Sequence, residues 1–526
     1  MKTKLFYLIT AAAVLVAAAV FVRLDAANGG AARYHQHLEQ PGQEQLGPCA
    51  VCGGKAELCT HLPVICVDTG GQFIPGKGIY DSAGIFIGAQ TGPQGETEIA
   101  VTVKTMDAEG VWHHADDEPS VTARAMFRIR GNSSRAFSKP SYRLKLFENG
   151  DPEDGLDLPL LGMDPGGEWA LHGPFLDKTL IRNYMWMNIS AEVMGDAPDV
   201  RFCELVLDGE YQGLYLLMET ISEGPGRVDL TDYTSGDPVC SYIVRICSRP
   251  NPAKELEVFS LYTDRLESYR GVELLYPTTS YQTEQVKNYA AQDFSELEKL
   301  LYSAQIAQGD RSYSRLLDVD SFVDYYVLQE FLAVNDMFSK STYFYKDARG
   351  KLCAGPVWDY NNVLNNFFLP IATEGFFLDQ RGWYSQLMMD DVFVERVIDR
   401  WHELREDVLS QERLNGYMDE TIAWLGEAID RDHQVWGWSY DPSQLDALEK
   451  RMPAWWDIAQ ATAGLEPAEQ EEVVAQMTAS VNPSDYRQAV DWMREYMNER
   501  GQWIDRNIET LRRYCQESKN ASRMVN

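Results

Sequence analysis

Apolar positions along the chain fall into short runs in the first half and long periodic runs in the second. "LPVICVDT", "GIFIGA", "EIAVTVKTM" and "VTARAMFRIRG" alternate or stay apolar over a few positions, which predicts strands. "PSYRLKLFE" and "EWALHGP" continue the series. Residues 177–195 predict a helix, with Asp177 as its N-cap and Gly195 as its stop. "RFCELVLDGEYQGLYLLMETI" predicts a hairpin turning at Asp208-Gly209. Residues 284–336 predict helix, and from about residue 380 onward Trp, Leu and Ile recur at helical spacing. Strands come first and helices later, so the expected class is α+β, strand-rich at the N-terminal side and mainly helical at the C-terminal side. No internal repeat is evident.

One predicted hairpin carries candidate chemistry. "STYFYKD" and "KLCAGPVWD" flank Ala348-Arg349-Gly350. If Asp347 opposes Leu352, Asp359 falls opposite Lys340, four positions past Asp336. Two carboxylates distant in sequence would then share a pocket. Such a pair suits Mg²⁺, which takes a few carboxylates and keeps its other positions for water and phosphate oxygens. The competing reading is that Asp336 and Asp359 cap a helix end and a turn. A second pattern, "FRIRGNSSRAFSKPSYRLKL", reads as strand, small-residue loop, strand. Alternation puts Arg128 and Arg130 on one face, and Arg143 and Lys145 on one face of the next strand, with Tyr142, Leu144 and Leu146 toward the core. The backbone N–H groups of the loop could meet an anion, although by alternation alone a solvated cationic face is the first reading.

Charge narrows the partners. Against 79 acidic side chains stand 47 basic ones, giving a formal charge of −32 over 526 residues. A surface of that sign argues against nucleic acid and against simple attachment to anionic lipid, but leaves room for a local cationic phosphate site. Lys2 and Lys4 precede an uncharged, mostly apolar stretch at 5–22, and Ala26-Ala27 follow. This predicts a signal peptide or a membrane anchor within 1–25, with the main domain exported and lying outside the cytoplasm, free or anchored through that segment. A polar tether with a cysteine cluster is expected over 26–62. The cluster reads C-x2-C-x6-C-x6-C from Cys49 to Cys66, with His61 inside. For an exported chain disulfides are the first reading and a small zinc knot the second; the paired C-x2-C motif of a zinc ribbon is absent, which leaves structural cysteines as the default. Asn132 and Asn188 sit in glycosylation patterns. There is no G-x-G-x-x-G, P-loop, H-E-x2-H or G-x-S-x-G.

Four ordered pieces are more specific together than any one of them: "RIRGNSSRAFSKPSYRLKL", "LDKTLIRNYMWMNISAEVMGDAP", "VLDGEYQGLYLLMETI" and "NDMFSKSTYFYKDARGKLCAGPVWDYNN". In that order they resemble the spore-coat CotH family of atypical, secreted protein kinases. The resemblance covers residues 120–400, with a strand-rich extension at 63–119 before it and a helical region at 401–526 after it. It implies an atypical two-lobe kinase-like fold that transfers phosphate from ATP, with Mg²⁺ or Mn²⁺, to serines of a surface or coat protein. Carried over by motif, Asp336 resembles the catalytic aspartate and Asp359 the metal-binding one. Lys145 and Arg130 would contact phosphate. Glu219 matches a recurring glutamate of the nucleotide cleft, and Arg182 and Asn183 match a pattern that serves either the cleft or helix packing. Family members often carry a second aspartate where this chain has Asn361, so Asn361 would help Asp359 as a neutral ligand. Ser341 stands where ordinary kinases place a metal-binding asparagine. The resemblance therefore leaves two outcomes: an active kinase, or a weakened kinase-like surface, assembly or adhesion protein. A metal-dependent hydrolase using the same carboxylates is a third, less supported because no further ligand cluster appears.

Overall fold

The computed structural model describes residues 33–52, 58–81, 84–148, 150–259, 271–379 and 381–515. Residues up to His35 form a separate unit, and all elements described below belong to the second, Gln36–Asn526. The predicted N-terminal signal or anchor lies outside the described residues. Among those described, no helix is long and apolar enough to cross a membrane.

Among the described residues the strands build three sheets. β1 (Val64–Asp68) is followed by the small hairpin β2 (Gly78–Tyr80) and β3 (Phe86–Ala89). Next come β4 (Ile99–Met106), β5 (Val121–Arg130), β6 (Ser141–Phe147), β7 (Glu168–His172), β8 (Val200–Leu207) and β9 (Glu210–Glu219). Seven of these close a barrel in the order β1-β4-β5-β6-β7-β9-β8, with β1 and β8 parallel. Its interior is filled by alternate residues, among them Val103, Phe127, Leu144, Trp169 and Leu217, all nearly inaccessible. Phe127 and Tyr142 stack there, 4.6 Å between ring centroids. The predicted alternation of β5 and β6 is what the barrel uses: Arg128 pairs directly with Arg143 on the outer face.

A four-stranded sheet follows, in the order β11-β10-β12-β13, from β10 (Tyr242–Cys247), β11 (Gly271–Tyr276), β12 (Thr342–Lys346) and β13 (Leu352–Ala354). Between barrel strands β7 and β8 in sequence lies α1 (Arg182–Met194), with eleven of its thirteen residues buried. Buried on nearly every side, this helix sits inside the protein. Tyr184 of α1 packs on Phe202 of the barrel, and Trp186 packs on Phe331 of α3 (Val319–Phe331). The span predicted as one helix from 284 is divided. α2 (Glu284–Leu301) ends ahead of Gly309, and α3 restarts where the Asp318 side chain accepts from Ser321 N. The C-terminal helices are α4 (Asp391–Glu406), α5 (Gln411–Leu425), α6 (Glu427–Trp436), α7 (Trp455–Ala461), α8 (Pro467–Val481) and α9 (Tyr486–Asn507). α6 returns to the barrel, where Asp432 accepts from Lys139 Nζ at 2.5 Å and from Leu214 N at 2.8 Å.

The β12–β13 register differs by one from the sequence expectation: Lys346, not Asp347, opposes Leu352. The reason is the turn. Asp347 leaves the ladder because its carboxylate accepts from Thr231 N at 2.7 Å and Ser241 Oγ at 3.0 Å. Gly350 N then closes back on Asp347 O at 2.8 Å, with Arg349 at φ 63°.

Candidate active site

The ladder stops at Ala354, so Asp359 reaches Asp336 by the turns that follow each strand and helix, not by strand register. α3 ends at Phe331, and the chain folds into a tight turn in which Ser339 N and Lys340 N both donate to the Asp336 carbonyl, at 2.9 and 3.0 Å. Ser341 then sits at φ 53° and Asp359 at φ 63°. Among the described residues, seven of the ten non-glycine residues with positive φ fall between Ala333 and Asn365. Each costs roughly 1–3 kcal/mol, and strain of this kind gathers where function fixes the backbone.

The result is a small cleft whose lining includes Asn335, Asp336, Lys340, Ser341, Trp358, Asp359 and Asn362. Asp336 Oδ2 lies 3.2 Å from Lys340 Nζ. Asp359 Oδ2 accepts the Ser341 hydroxyl at 2.6 Å. Burial raises the Asp336 pKa above the ordinary carboxylate value; the negative charge of Asp359 adds to this, while Lys340 and Arg381 oppose it. Arg381 is held at the rim by Asn335, donating to its backbone oxygen at 2.6 Å and to its Oδ1 at 3.2 Å. Carboxylate, amide and hydroxyl oxygens converge here without His or Cys. That donor set suits a hard divalent cation, Asp336, Asp359 and Asn362 being the side chains able to hold it.

The other residues singled out from the sequence are distributed as follows. The Arg130 guanidinium lies 5.4 Å from the Trp358 ring centre, and so stands beside the cleft. Arg143 is committed to Glu168 (2.5 Å) and Glu98 (3.1 Å), and Arg128 faces Glu98 at 3.8 Å. Among the described residues neither Arg130 nor Lys145 has a carboxylate partner. Lys145 donates to the Pro152 carbonyl at 3.4 Å, and neither it nor Glu219 lines the cleft. Glu219 is buried at the end of β9, accepting from Asp199 N at 2.8 Å and facing Arg227 at 3.7 Å. Arg182 is also buried. It pairs with Asp177 and donates through Nε to the Val363 carbonyl at 3.2 Å, tying α1 to the segment that leaves the cleft. Asp177 does not cap α1 at the predicted position; it holds the preceding turn, accepting from Thr179 Oγ1 (2.6 Å) and Arg182 N (2.9 Å). Asn183 is buried on the first turn of α1.

Asn361 stands one residue behind the lining. Its Nδ2 donates to Asn362 Oδ1 at 2.9 Å, so it is Asn362 whose side chain borders the cleft. Sequence reasoning did not single out Asn335, Lys340, Trp358, Asn362 or Arg381. Four of these adjoin the two aspartates in sequence or lie one turn away, so proximity was the available signal. Arg381, on a distant segment, carried none.

A family model described as "CotH kinase protein" matches residues 127–504. The matched span continues past residue 400 and ends inside α9. No curated protein matches the chain.

Proposed function

The chain belongs to the CotH kinase family, and from that premise we propose that it is an exported atypical Ser/Thr protein kinase. The family implies a kinase-like protein using ATP and a divalent metal. In the finer reading, the barrel and the helical region are the two lobes of a kinase-like fold, and the acceptor is a surface or coat protein with exposed serines. The observation that carries it is the cleft that joins Asp336 to Asp359 with oxygen donors around them and Arg130 beside it.

Mg²⁺ or Mn²⁺, when bound, would neutralise charge on the phosphates and orient them. Asp359 and Asn362 are the side chains placed to hold it, with Asn361 behind. Ser341 fixes the Asp359 carboxylate. Asp336 orients the acceptor serine: its hydroxyl proton passes to the Asp336 carboxylate as the serine oxygen bonds the γ-phosphorus. The bond from that phosphorus to the β,γ-bridging oxygen breaks, and ADP leaves. A carboxylate whose pKa burial has raised is a better proton acceptor than one in water. Arg130, held over the Trp358 ring, supplies positive charge at the cleft edge. Lys145, which has no carboxylate partner among the described residues, is the second candidate for phosphate.

The test is incubation of the purified full chain with γ-labelled ATP, Mg²⁺ or Mn²⁺ and a serine-rich acceptor. Label transfer is expected in the native chain and at background in Asp336→Ala and Asp359→Ala. No transfer, together with no thermal shift from nucleotide, would sink the proposal. One observation favours a second reading, a weakened kinase retained as a surface or adhesion protein: Asn361 brings no charge to the metal side of the cleft. Asn361→Asp distinguishes the two, because a weakened kinase gains transfer and a fully active one does not.

A further inference from the structure

Of the four clustered cysteines, the structure gathers only three. Cys49, Cys52 and Cys59 converge with His114, and their ligand atoms all lie within 4.8 Å of one another. Cys66 is turned away, its thiol 3.6 Å from the Ala115 carbonyl. His61 is also elsewhere, edge-on to Trp424, where burial lowers its pKa to about 4.

We propose that Cys49, Cys52, Cys59 and His114 form a Cys3His site for one structural zinc ion that fastens the segment ahead of β1 to the β4–β5 connection.

Four features carry this. First, the ligand set and count are those of a closed structural zinc site, and Cys49-x2-Cys52 has the usual knuckle spacing. Second, the separation fits. A tetrahedral zinc with Zn–S of about 2.3 Å and Zn–N of about 2.0 Å holds sulfur and nitrogen ligands about 3.6 Å apart. Cys49 Sγ and His114 Nε2 are 3.6 Å apart. Third, the imidazole is aimed. His114 Nδ1 faces the Asp117 carboxylate at 3.2 Å, and His114 N donates to Asp117 Oδ2 at 2.8 Å. A carboxylate on Nδ1 fixes the tautomer that leaves Nε2 free to bind metal, a common arrangement at zinc sites. Fourth, the register delivers the ligands. Thr60 and His113 form an antiparallel bridge, which sets Cys59 opposite His114.

A disulfide would consume two of the three sulfurs and leave the third thiol and the oriented imidazole without a role. Zinc uses all four. Three thiol protons leave to solvent as three S–Zn bonds form, and His114 binds as neutral imidazole through Nε2. Around the cysteines themselves the described residues are lightly held. The helical turn Gln43–Leu46 buries no residue, Val51 is 84% exposed, and a direct tie is the Trp112 Nε1 bond to the Gly47 carbonyl at 2.9 Å.

The test begins with elemental analysis of the purified full chain, where one zinc per chain is expected. Exchange for Co²⁺ should give the visible bands of a tetrahedral thiolate site. Cys59→Ser and His114→Ala should lose the metal, and Cys66→Ser should keep it in full. His114→Cys, which preserves the ligand count, should keep the metal with a shifted cobalt spectrum even if the alanine variant misfolds. Asp117→Asn should weaken binding by about 10- to 100-fold. A native chain that binds no metal, that carries another metal such as iron after purification, or whose non-reducing peptide map shows a disulfide among Cys49, Cys52 and Cys59, would overturn the assignment.

Discussion

Glu330 and Asp336 stand six positions apart around the end of α3, and they are treated in opposite ways. Glu330 accepts from Phe377 N and Leu378 N, both at 2.9 Å, and from the Arg500 guanidinium at 2.5 Å. Arg500 in turn donates to the Thr373 and Gly375 carbonyls at 3.0 and 2.6 Å. The pair nails α9 and the 373–378 loop to α3, and both side chains are fully buried. Asp336, by contrast, has a single charged contact among the described residues, to the partly exposed Lys340 four positions on. Among the described residues, the Asp359 carboxylate beside it accepts one serine hydroxyl. A carboxylate whose acceptor sites are filled by backbone and guanidinium is an anchor. One left under-satisfied next to a second carboxylate is held ready for an external cation or proton.

Breaking the anchor should have the largest effect. Arg500→Met leaves Glu330 buried without its counter-charge and should destabilise the chain by about 3–5 kcal/mol in denaturant unfolding. Equal stability would make the pair incidental.

A third buried charge tests the same contrast with the sign reversed. Lys178 has mainly neutral partners, the Ser439 hydroxyl at 2.6 Å and the Phe175 and Tyr440 rings, and burial lowers its pKa to about 7. Between pH 7 and the ordinary lysine value near 10.4 the folded chain binds fewer protons than the unfolded one, so this group makes stability rise with pH across that window. Lys178→Met should therefore gain most relative to the native chain at pH 7 and below. The gain should fade by about 1 kcal/mol per pH unit as pH rises toward 10. Parallel stability curves for the two proteins would show that Lys178 is well solvated.

The smallest effect is expected at the cleft. The pKa of Asp336 is raised, so stability from this group falls as pH rises through the interval above the ordinary carboxylate value. At pH 7 its ionised form is a cost, and Asp336→Asn should raise stability by about 1 kcal/mol while phosphate transfer drops to background. That advantage should vanish below about pH 4, where both chains carry a neutral group. A destabilised Asp336→Asn would mean that Asp336 is an anchor like Glu330.

Local pattern determined much of this protein. Alternation in β5 and β6 put Phe127 and Leu144 inside and Arg128, Arg130, Arg143 and Lys145 outside, because a pleated strand sends successive side chains to opposite faces. Asp208-Gly209 marked the β8–β9 turn, and Gly195 the end of α1. The order of motifs pointed to the family, and the two aspartates were visible beside their turns. Other features depended on contacts between distant segments. "YIVRIC" and "GVELLY" show no alternation because both faces of β10 and β11 are largely covered, so the sheet that seats the β12–β13 hairpin was not visible. The hairpin register shifted by one because Thr231 and Ser241 claim Asp347. Arg381 and Arg500 act on residues far back in the chain, and His114 joins cysteines whose spacing pointed to Cys66. Periodicity reports which face of an element is buried. Which distant group fills an acceptor site, completes a ligand set or neutralises a charge is decided by chain closure, and only the tertiary structure supplies that.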